Sequence, residues 1–369
     1  MQPFTLLIKP SGSDCNLNCR YCFYKGINGQ PRQAKQRMTD EVLERLVRDY
    51  LKLRFPVSGF AWQGGEPTLM GLDFYEKAIN LQKKYGVTGQ QVSNSLQTNA
   101  VLLDDQWCRF LHDNNFLIGI SIDGPKEFHD YYRINHIGKG SFDKVVNAMQ
   151  TCKKHRVEFN VLILLNNKNI EHPDELFDFF IENGIRYLQF IPCVEPDPAA
   201  GRIADFSITP QQYGQFMCRI FDRWCEYGPT KLSIRDFDSI LAHCLGGGHT
   251  VCTFDRQCSQ YIVIEHNGDA FCCDFFVEPK WRLGNIFEMP IEKLAGSSKK
   301  QEFSRTKQNL CNRCLVCRHL ALCRGGCMKD RLVLDNNDFG RESYFCESYK
   351  RFFDYTMPKF MQIAAALGV

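Results

Sequence analysis

The stretch CNLNCRYCFY, residues 15–24, sets Cys15, Cys19 and Cys22 in a Cys-x3-Cys-x2-Cys pattern. No further cysteine or histidine follows until Cys108. Structural zinc takes four tetrahedral ligands, most often from paired knuckles. Three thiolates on one loop suit instead a cubane 4Fe-4S cluster with one iron left open to an exogenous ligand. Zinc stays the competing reading at this point. The rings of Tyr21, Phe23 and Tyr24 would pack around such a cluster.

A second concentration of cysteine lies far downstream. Cys252-x5-Cys258 is followed by Gly268-x4-Cys273, then Cys314-x2-Cys317-x5-Cys323-x3-Cys327, then Cys346. Eight cysteines make two complete sets of four. Two zinc sites or two fully ligated iron–sulfur clusters explain them equally well in isolation. Cys108, Cys152, Cys218 and Cys225 fall in helical stretches and read as small buried hydrophobes. Cys272 and Cys311 each neighbour a candidate ligand.

The elements that must hold these residues are legible from periodicity. Strands are expected near 4–9, 59–63, 92–98, 117–123, 158–165 and 187–191. Helices are expected between them at 39–53, 73–85, 104–114, 141–155 and 173–183. Six strands alternating with helices predict a parallel α/β fold, either an open partial barrel or a doubly wound sheet. Chemistry in such folds sits at the C-terminal strand ends. The cysteine loop follows the first strand, QGGEP ends the second, QTN the third and SIDGP the fourth. A helix is expected over 209–227. After LGGGHT, residues 245–250, cysteine and glycine punctuate the chain, so a domain boundary is expected between 230 and 250. A closing helix, interrupted near Pro358, is expected at the end. No repeat beyond the β/α alternation is visible.

Composition bounds the function class. The chain has 369 residues, 44% hydrophobic and 13% aromatic, enough for a sizeable core. The net charge of +3 gives no electrostatic claim on nucleic acid. There is no run long enough to cross a membrane and no signal-peptide core, so a cytoplasmic location is expected. A reducing cytosol makes a disulfide framework from 19 cysteines improbable and directs them to metal.

With these motifs in hand, CNLNCRYCFY resembles the signature loop of the radical S-adenosylmethionine (SAM) superfamily. The resemblance implies that the open iron binds the amino and carboxylate groups of SAM, whose cleavage gives a 5′-deoxyadenosyl radical. Gly64, Gly65 and Glu66 of GGEP resemble the motif for the methionine amino group, with Glu66 as an acceptor for the ammonium. The downstream cysteines resemble the SPASM extension. That resemblance implies one auxiliary 4Fe-4S cluster on Cys252, Cys258, Cys273 and Cys327, and another on Cys314, Cys317, Cys323 and Cys346. Three 4Fe-4S clusters and SAM are thus the implied cofactors. The implied architecture is a partial (β/α)6 barrel of the radical SAM type over 1–235, a SPASM-like domain over 236–350, and a C-terminal helix over 351–369.

Together FAWQGGEPTL, NSLQTN, SIDGP, YLQFIPC, CCDFFV, KWRLGNI and YFCESYKRFF resemble the anaerobic sulfatase-maturating enzymes over nearly the whole chain. Those enzymes oxidise a cysteine or serine in a Cys/Ser-x-Pro/Ala-x-Arg motif of an unfolded sulfatase to Cα-formylglycine. The resemblance implies that Tyr21, Gly65, Ser121, Arg133 and Val194 contact SAM, that Tyr24 and Gln63 face the peptide, and that Asp274 is the general base. QTNA departs from the usual QTNG at Ala100, with little consequence expected. The implied partners are an unfolded sulfatase and a one-electron reductant of flavodoxin or ferredoxin type, with the enzyme a monomer. Two other readings remain open here. One is another SPASM peptide-modifying enzyme that forms thioether or carbon–carbon crosslinks. Only 14 residues precede Cys15, which leaves no room for the leader-peptide domain such enzymes often carry. The other is a zinc-binding interaction module.

Overall fold

In the computed structural model, which describes residues 2–25, 35–197, 200–332 and 340–367, the alternating pattern becomes an alternating chain. It runs β1 (Thr5–Lys9), α1 (Asp40–Leu51), β2 (Val57–Trp62), α2 (Leu72–Tyr85), β3 (Gln91–Thr98), α3 (Asp105–Asp113), β4 (Leu117–Ser121), α4 (Lys126–Tyr132), α5 (Phe142–Lys154), β5 (Phe159–Leu165), α6 (Pro173–Glu182) and β6 (Tyr187–Pro192). Then follow the short pair β7 (Pro196–Asp197) and β8 (Arg202–Ile203), then α7 (Pro210–Tyr227), β9 (Ser233–Ile234), α8 (Arg235–Cys244), β10 (Tyr261–Glu265), β11 (Asp269–Phe271) and β12 (Arg282–Asn285). The end is helical: α9 (Ile291–Ala295), α10 (Ser298–Thr306), α11 (Asn312–Leu315), α12 (Leu320–Cys323), α13 (Met328–Arg331) and α14 (Cys346–Ala366). The six expected strands and the helices between them are all present. Local signals explain the helix starts. Thr39 caps α1 by accepting from the Val42 N–H, and Thr209 with Gln212 forms a reciprocal capping box on α7.

The chain forms two compact units, each discontinuous in sequence. The first comprises residues 1–121, 130–159 and 259–304. Its β1, β2, β3 and β4 are parallel in that order. One face of these strands is buried, and Leu6, Ile8, Phe60, Trp62, Leu96, Ile118 and Ile120 share it, while Gly59, Ala61, Ser95 and Gln97 on the other face are half-buried. On the other side of β1, β10 pairs in parallel, register Thr5 to Tyr261 through Lys9 to Glu265. β11 and β12 then add in antiparallel fashion. The units therefore cut across the expected ranges 1–235 and 236–350. The reason is physical: YIVIE of β10 is an apolar strand that completes a buried sheet, so residues 259–304 fold with β1 rather than with the other cysteines.

The second unit comprises residues 122–129, 160–258 and 305–369. β5, β6 and β9 are parallel in it. Phe221 and Trp224 of α7 and Phe237 of α8 pack on Phe352 and Phe360 of α14, with ring centroids 4.8–6.2 Å apart. That aromatic seam carries α14 through Pro358, where an interruption was expected. The helix also begins earlier than expected, at Cys346.

Candidate active site

The cysteine loop leaves β1 and is tied down by main-chain hydrogen bonds. Gly65 N–H donates to the Gly12 carbonyl (2.8 Å) and Glu66 N–H to the Asp14 carbonyl (2.7 Å). A Cβ built on Gly65 would lie 2.0 Å from the Asp14 carbonyl oxygen, and one on Gly64, at φ +113°, 2.8 Å from that of Gly12. The glycine pair of GGEP is thus required for the motif to lie against the cysteine loop itself. From the other side Asn18 N–H donates to the Ile134 carbonyl (2.7 Å), and His136 Nε2 lies 3.0 Å from the Cys15 carbonyl.

Glu66 is fully buried, and its carboxylate is occupied by protein donors. Oε1 accepts from Thr68 N–H (3.0 Å), Thr68 Oγ1 (2.6 Å) and Thr98 Oγ1 (2.7 Å), and Oε2 accepts from Asn99 N–H (2.8 Å). Burial raises its pKa, and the hydrogen bonds oppose that rise. The carboxylate expected to receive an ammonium thus also ties the ends of β2 and β3 together, and Oε2, with the single donor Asn99 N–H, keeps a lone pair for a further one. Asn99 extends this tie, donating to Asn16 Oδ1 (2.7 Å) and toward Cys15 Sγ (3.6 Å). The next residue, Ala100, is buried at φ +60°. The departure from glycine therefore has a consequence: an L side chain is held in the left-handed region.

Of the other residues expected around SAM, Tyr21 is buried, with the Arg133 guanidinium 5.5 Å from its ring centroid and Tyr132 edge-on at 5.4 Å. Ser121, at the end of β4, accepts from Gln97 Nε2 (3.1 Å). Val194 belongs to the second unit, fully buried, its carbonyl accepting from Lys329 Nζ (2.8 Å).

The expected peptide-facing and basic residues converge in the first unit. Asp274 is 3% exposed at the start of a 3-10 turn after Cys273. Its Oδ2 accepts from Tyr24 Oη (2.6 Å) and Gln63 Nε2 (2.9 Å). Its Oδ1 has no hydrogen-bond partner and lies 3.4 Å from Lys9 Nζ. Lys9 in turn pairs with Glu265 at 2.5 Å and sits 4.6 Å above the Tyr24 ring. Burial would lower the Lys9 pKa, but the charges of Asp274 and Glu265 outweigh it and the net shift is upward. Tyr24 is pushed well above its ordinary value by burial and then by the Asp274 charge. Sequence reading missed Lys9 and Glu265. They meet only because β10 aligns with β1, and the only local hint is a charge closing each apolar strand.

None of the nineteen cysteines is in a disulfide. Leu17 N–H lies 3.4 Å from Cys15 Sγ, the kind of donor that a cluster-ligating thiolate accepts. In the second unit Cys314, Cys317, Cys323 and Cys346 line one pocket together. Burial pushes the Cys314 and Cys346 thiols up to about 12, so a cation must displace their protons. Among the described residues no three His, Cys, Asp or Glu side chains converge on a point fit for a single ion. Four thiols lining one pocket make up in number and kind the donor set of a fully ligated cluster. Cys252, Cys258 and Cys327 belong to this unit, whereas Cys273 belongs to the first. Cys311 lies 3.6 Å from Cys314 Sγ. No helix among the described residues is long and apolar enough to cross a membrane.

Known proteins resemble this chain in sequence and fold. The Radical SAM superfamily profile matches residues 10–180, and that of the SPASM iron–sulfur cluster-binding domain matches residues 252–318. The cysteine-type anaerobic sulfatase-maturating enzyme of Clostridium perfringens is 39% identical, covering 99% of both chains. The serine-type enzyme of Bacteroides thetaiotaomicron is 39% identical, covering 97% of this chain and 90% of its own. A solved structure described as native anSMEcpe with bound AdoMet superposes with a TM-score of 0.92 at 37% identity, covering 98% of this chain and all of that one. A second, with a Cp18Cys peptide also bound, gives 0.92 at 38% identity, covering 99% of this chain and all of that one. The fold is that of a radical SAM α/β domain joined to a SPASM domain, and the chain belongs to the anaerobic sulfatase-maturating enzymes.

Proposed function

We propose that Asp274 takes the proton released when a cysteine or serine of a sulfatase peptide is oxidised to Cα-formylglycine. That oxidation is the reaction of the family to which the chain belongs. Converting Cβ–OH to C=O, or Cβ–SH to C=S, removes two electrons and two protons, and in the cysteine case water then replaces the sulfur, releasing hydrogen sulfide. When bound, SAM and its 4Fe-4S cluster supply a radical that takes one hydrogen atom from Cβ, and the auxiliary clusters supply a place for the second electron. The remaining proton must leave from oxygen or sulfur. Neither group ionises readily at neutral pH, so a positioned base contributes roughly 10²–10⁴-fold.

The observation that carries this reading is a buried carboxylate whose Oδ2 is held by Tyr24 and Gln63 while Oδ1, 3.4 Å from Lys9 Nζ, accepts no hydrogen bond. Tyr24 and Gln63 keep the carboxylate in one orientation, and Lys9 offsets its charge. Cys15, Cys19 and Cys22 hold the open cluster, and Gly64, Gly65, Glu66, Tyr21, Ser121, Arg133 and Val194 are the residues that contact SAM. Cys252, Cys258, Cys273 and Cys327 hold one auxiliary cluster, and Cys314, Cys317, Cys323 and Cys346 the other. The electron donor is a cytoplasmic flavodoxin or ferredoxin type, and the enzyme acts as a monomer on unfolded sulfatase.

The test is Asp274→Asn assayed anaerobically with Cys- and Ser-type peptides. 5′-Deoxyadenosine formation should persist, while formylglycine falls by at least about 10²-fold. Wild-type formylglycine yield with all clusters intact would place the base elsewhere.

A further inference from the structure

Arg331 closes α13, four residues after Cys327, and is only 2% exposed. A buried guanidinium needs both hydrogen-bond acceptors and negative charge around it. Its acceptors are main-chain carbonyls. Nε donates to Gly325 (3.0 Å), Nη2 to Arg324 (3.2 Å) and Nη1 to Asn309 (2.9 Å). Two of those three belong to the linker Arg324–Gly326, between Cys323 and Cys327. Gly325 has φ +77°, and a Cβ there would lie 2.3 Å from Nη2, so the linker is folded onto the guanidinium.

The negative charge would come from the cysteines on either side of that linker, which lose their protons when they ligate a cluster. Burial lowers the Arg331 pKa, and the charges of Cys314, Cys327, Cys323 and Cys258 act against that. Two of the four, Cys314 and Cys323, belong to one auxiliary set, and Cys327 and Cys258 to the other. Lys307, by contrast, donates to the carbonyls of Cys252 and Thr253, beside one set alone.

We propose that Arg331 is a positioning residue shared by both auxiliary clusters, a fixed cation on the linker between them that raises both reduction potentials. The inference rests on the ligand pairing proposed above. A fully ligated 4Fe-4S unit carries about −2 when oxidised and gains another negative charge on reduction. A fixed buried cation favours the reduced form, and arginine holds its charge where lysine could lose it. Both clusters are thereby kept able to accept an electron.

The test is an anaerobic redox titration of reconstituted holoenzyme, followed by electron paramagnetic resonance, for wild type, Arg331→Lys and Arg331→Gln. Both auxiliary potentials should fall in the order wild type, Lys, Gln, with the Cys15/Cys19/Cys22 cluster unmoved. Unchanged potentials in the Gln variant, or a shift in one auxiliary cluster only, would overturn the shared role. Should Arg331→Gln not take up iron, wild type against Arg331→Lys decides: both potentials lowered supports the proposal, and neither lowered overturns it. A wild-type iron content well below about 12 per chain would count against the three-cluster reading itself, before any variant is compared.

Discussion

Buried charges in this protein meet different fates according to their neighbours. Lys9 is flanked by Asp274 and Glu265, and its ammonium is stabilised. Asp236, half-buried on α8, has no such ion pair among the described residues. Burial pushes its carboxyl up to about 6, with Arg235 only partly opposing and Asp238 adding to the rise. A carboxyl whose folded pKa lies above its unfolded value of 3.8 contributes stability below that value and loses it as pH rises through 6. Asp236→Asn should therefore gain about 1–3 kcal/mol over wild type at pH 8 and less at pH 5. Denaturant unfolding at the two pH values checks this; an equal gain at both would refute it. The same scale shows what a sequence can disclose. The spacing of Cys15, Cys19 and Cys22 is local and was readable. The hydrogen bonds that hold Glu66 were not, because its donors Thr98 and Asn99 come from the end of another strand.

At the scale of elements, strand periodicity was readable to within about two residues, because residues buried along one face alternate with less buried ones along the other. Two features escaped it. β10 lies in a cysteine- and glycine-rich stretch where no helix alternates, and its partner β1 is about 250 residues away. The closeness of GGEP to the cysteine loop was equally hidden, although the glycines announced that something must approach. The approach is tight enough to test. Gly65→Ala puts a methyl into the Asp14 carbonyl, and backbone there cannot give way without moving the loop that bears Cys15. We expect about four of the twelve irons to be lost, with 5′-deoxyadenosine formation, while the auxiliary clusters remain. Iron analysis and the electron paramagnetic resonance spectrum of the variant check it. Full iron content with normal SAM cleavage would show the loop tolerates the methyl.

For the molecule as a whole, the clusters alter the electrostatics that composition suggests. The polypeptide carries +3, with an isoelectric point near 8.0. Two fully ligated clusters at about −2 each and one open cluster at about −1 bring the total to about −2. Anaerobic isoelectric focusing should place the holoenzyme clearly acidic of the apoprotein; coincident bands would contradict three clusters. The parallel pairing of β1 with β10 also bears on how the protein is made. A ribosome adding roughly 5–20 residues per second needs about 12–50 seconds to travel from the first of these strands to the second. For all that time the nascent chain carries β1 with one hydrogen-bonding edge unpaired, an invitation to wrong partners. The cysteine loop hangs from that same strand, with Lys9 waiting for Glu265. Its iron is thus best delivered after translation has passed Glu265, which makes the timing of cluster insertion a property of strand order.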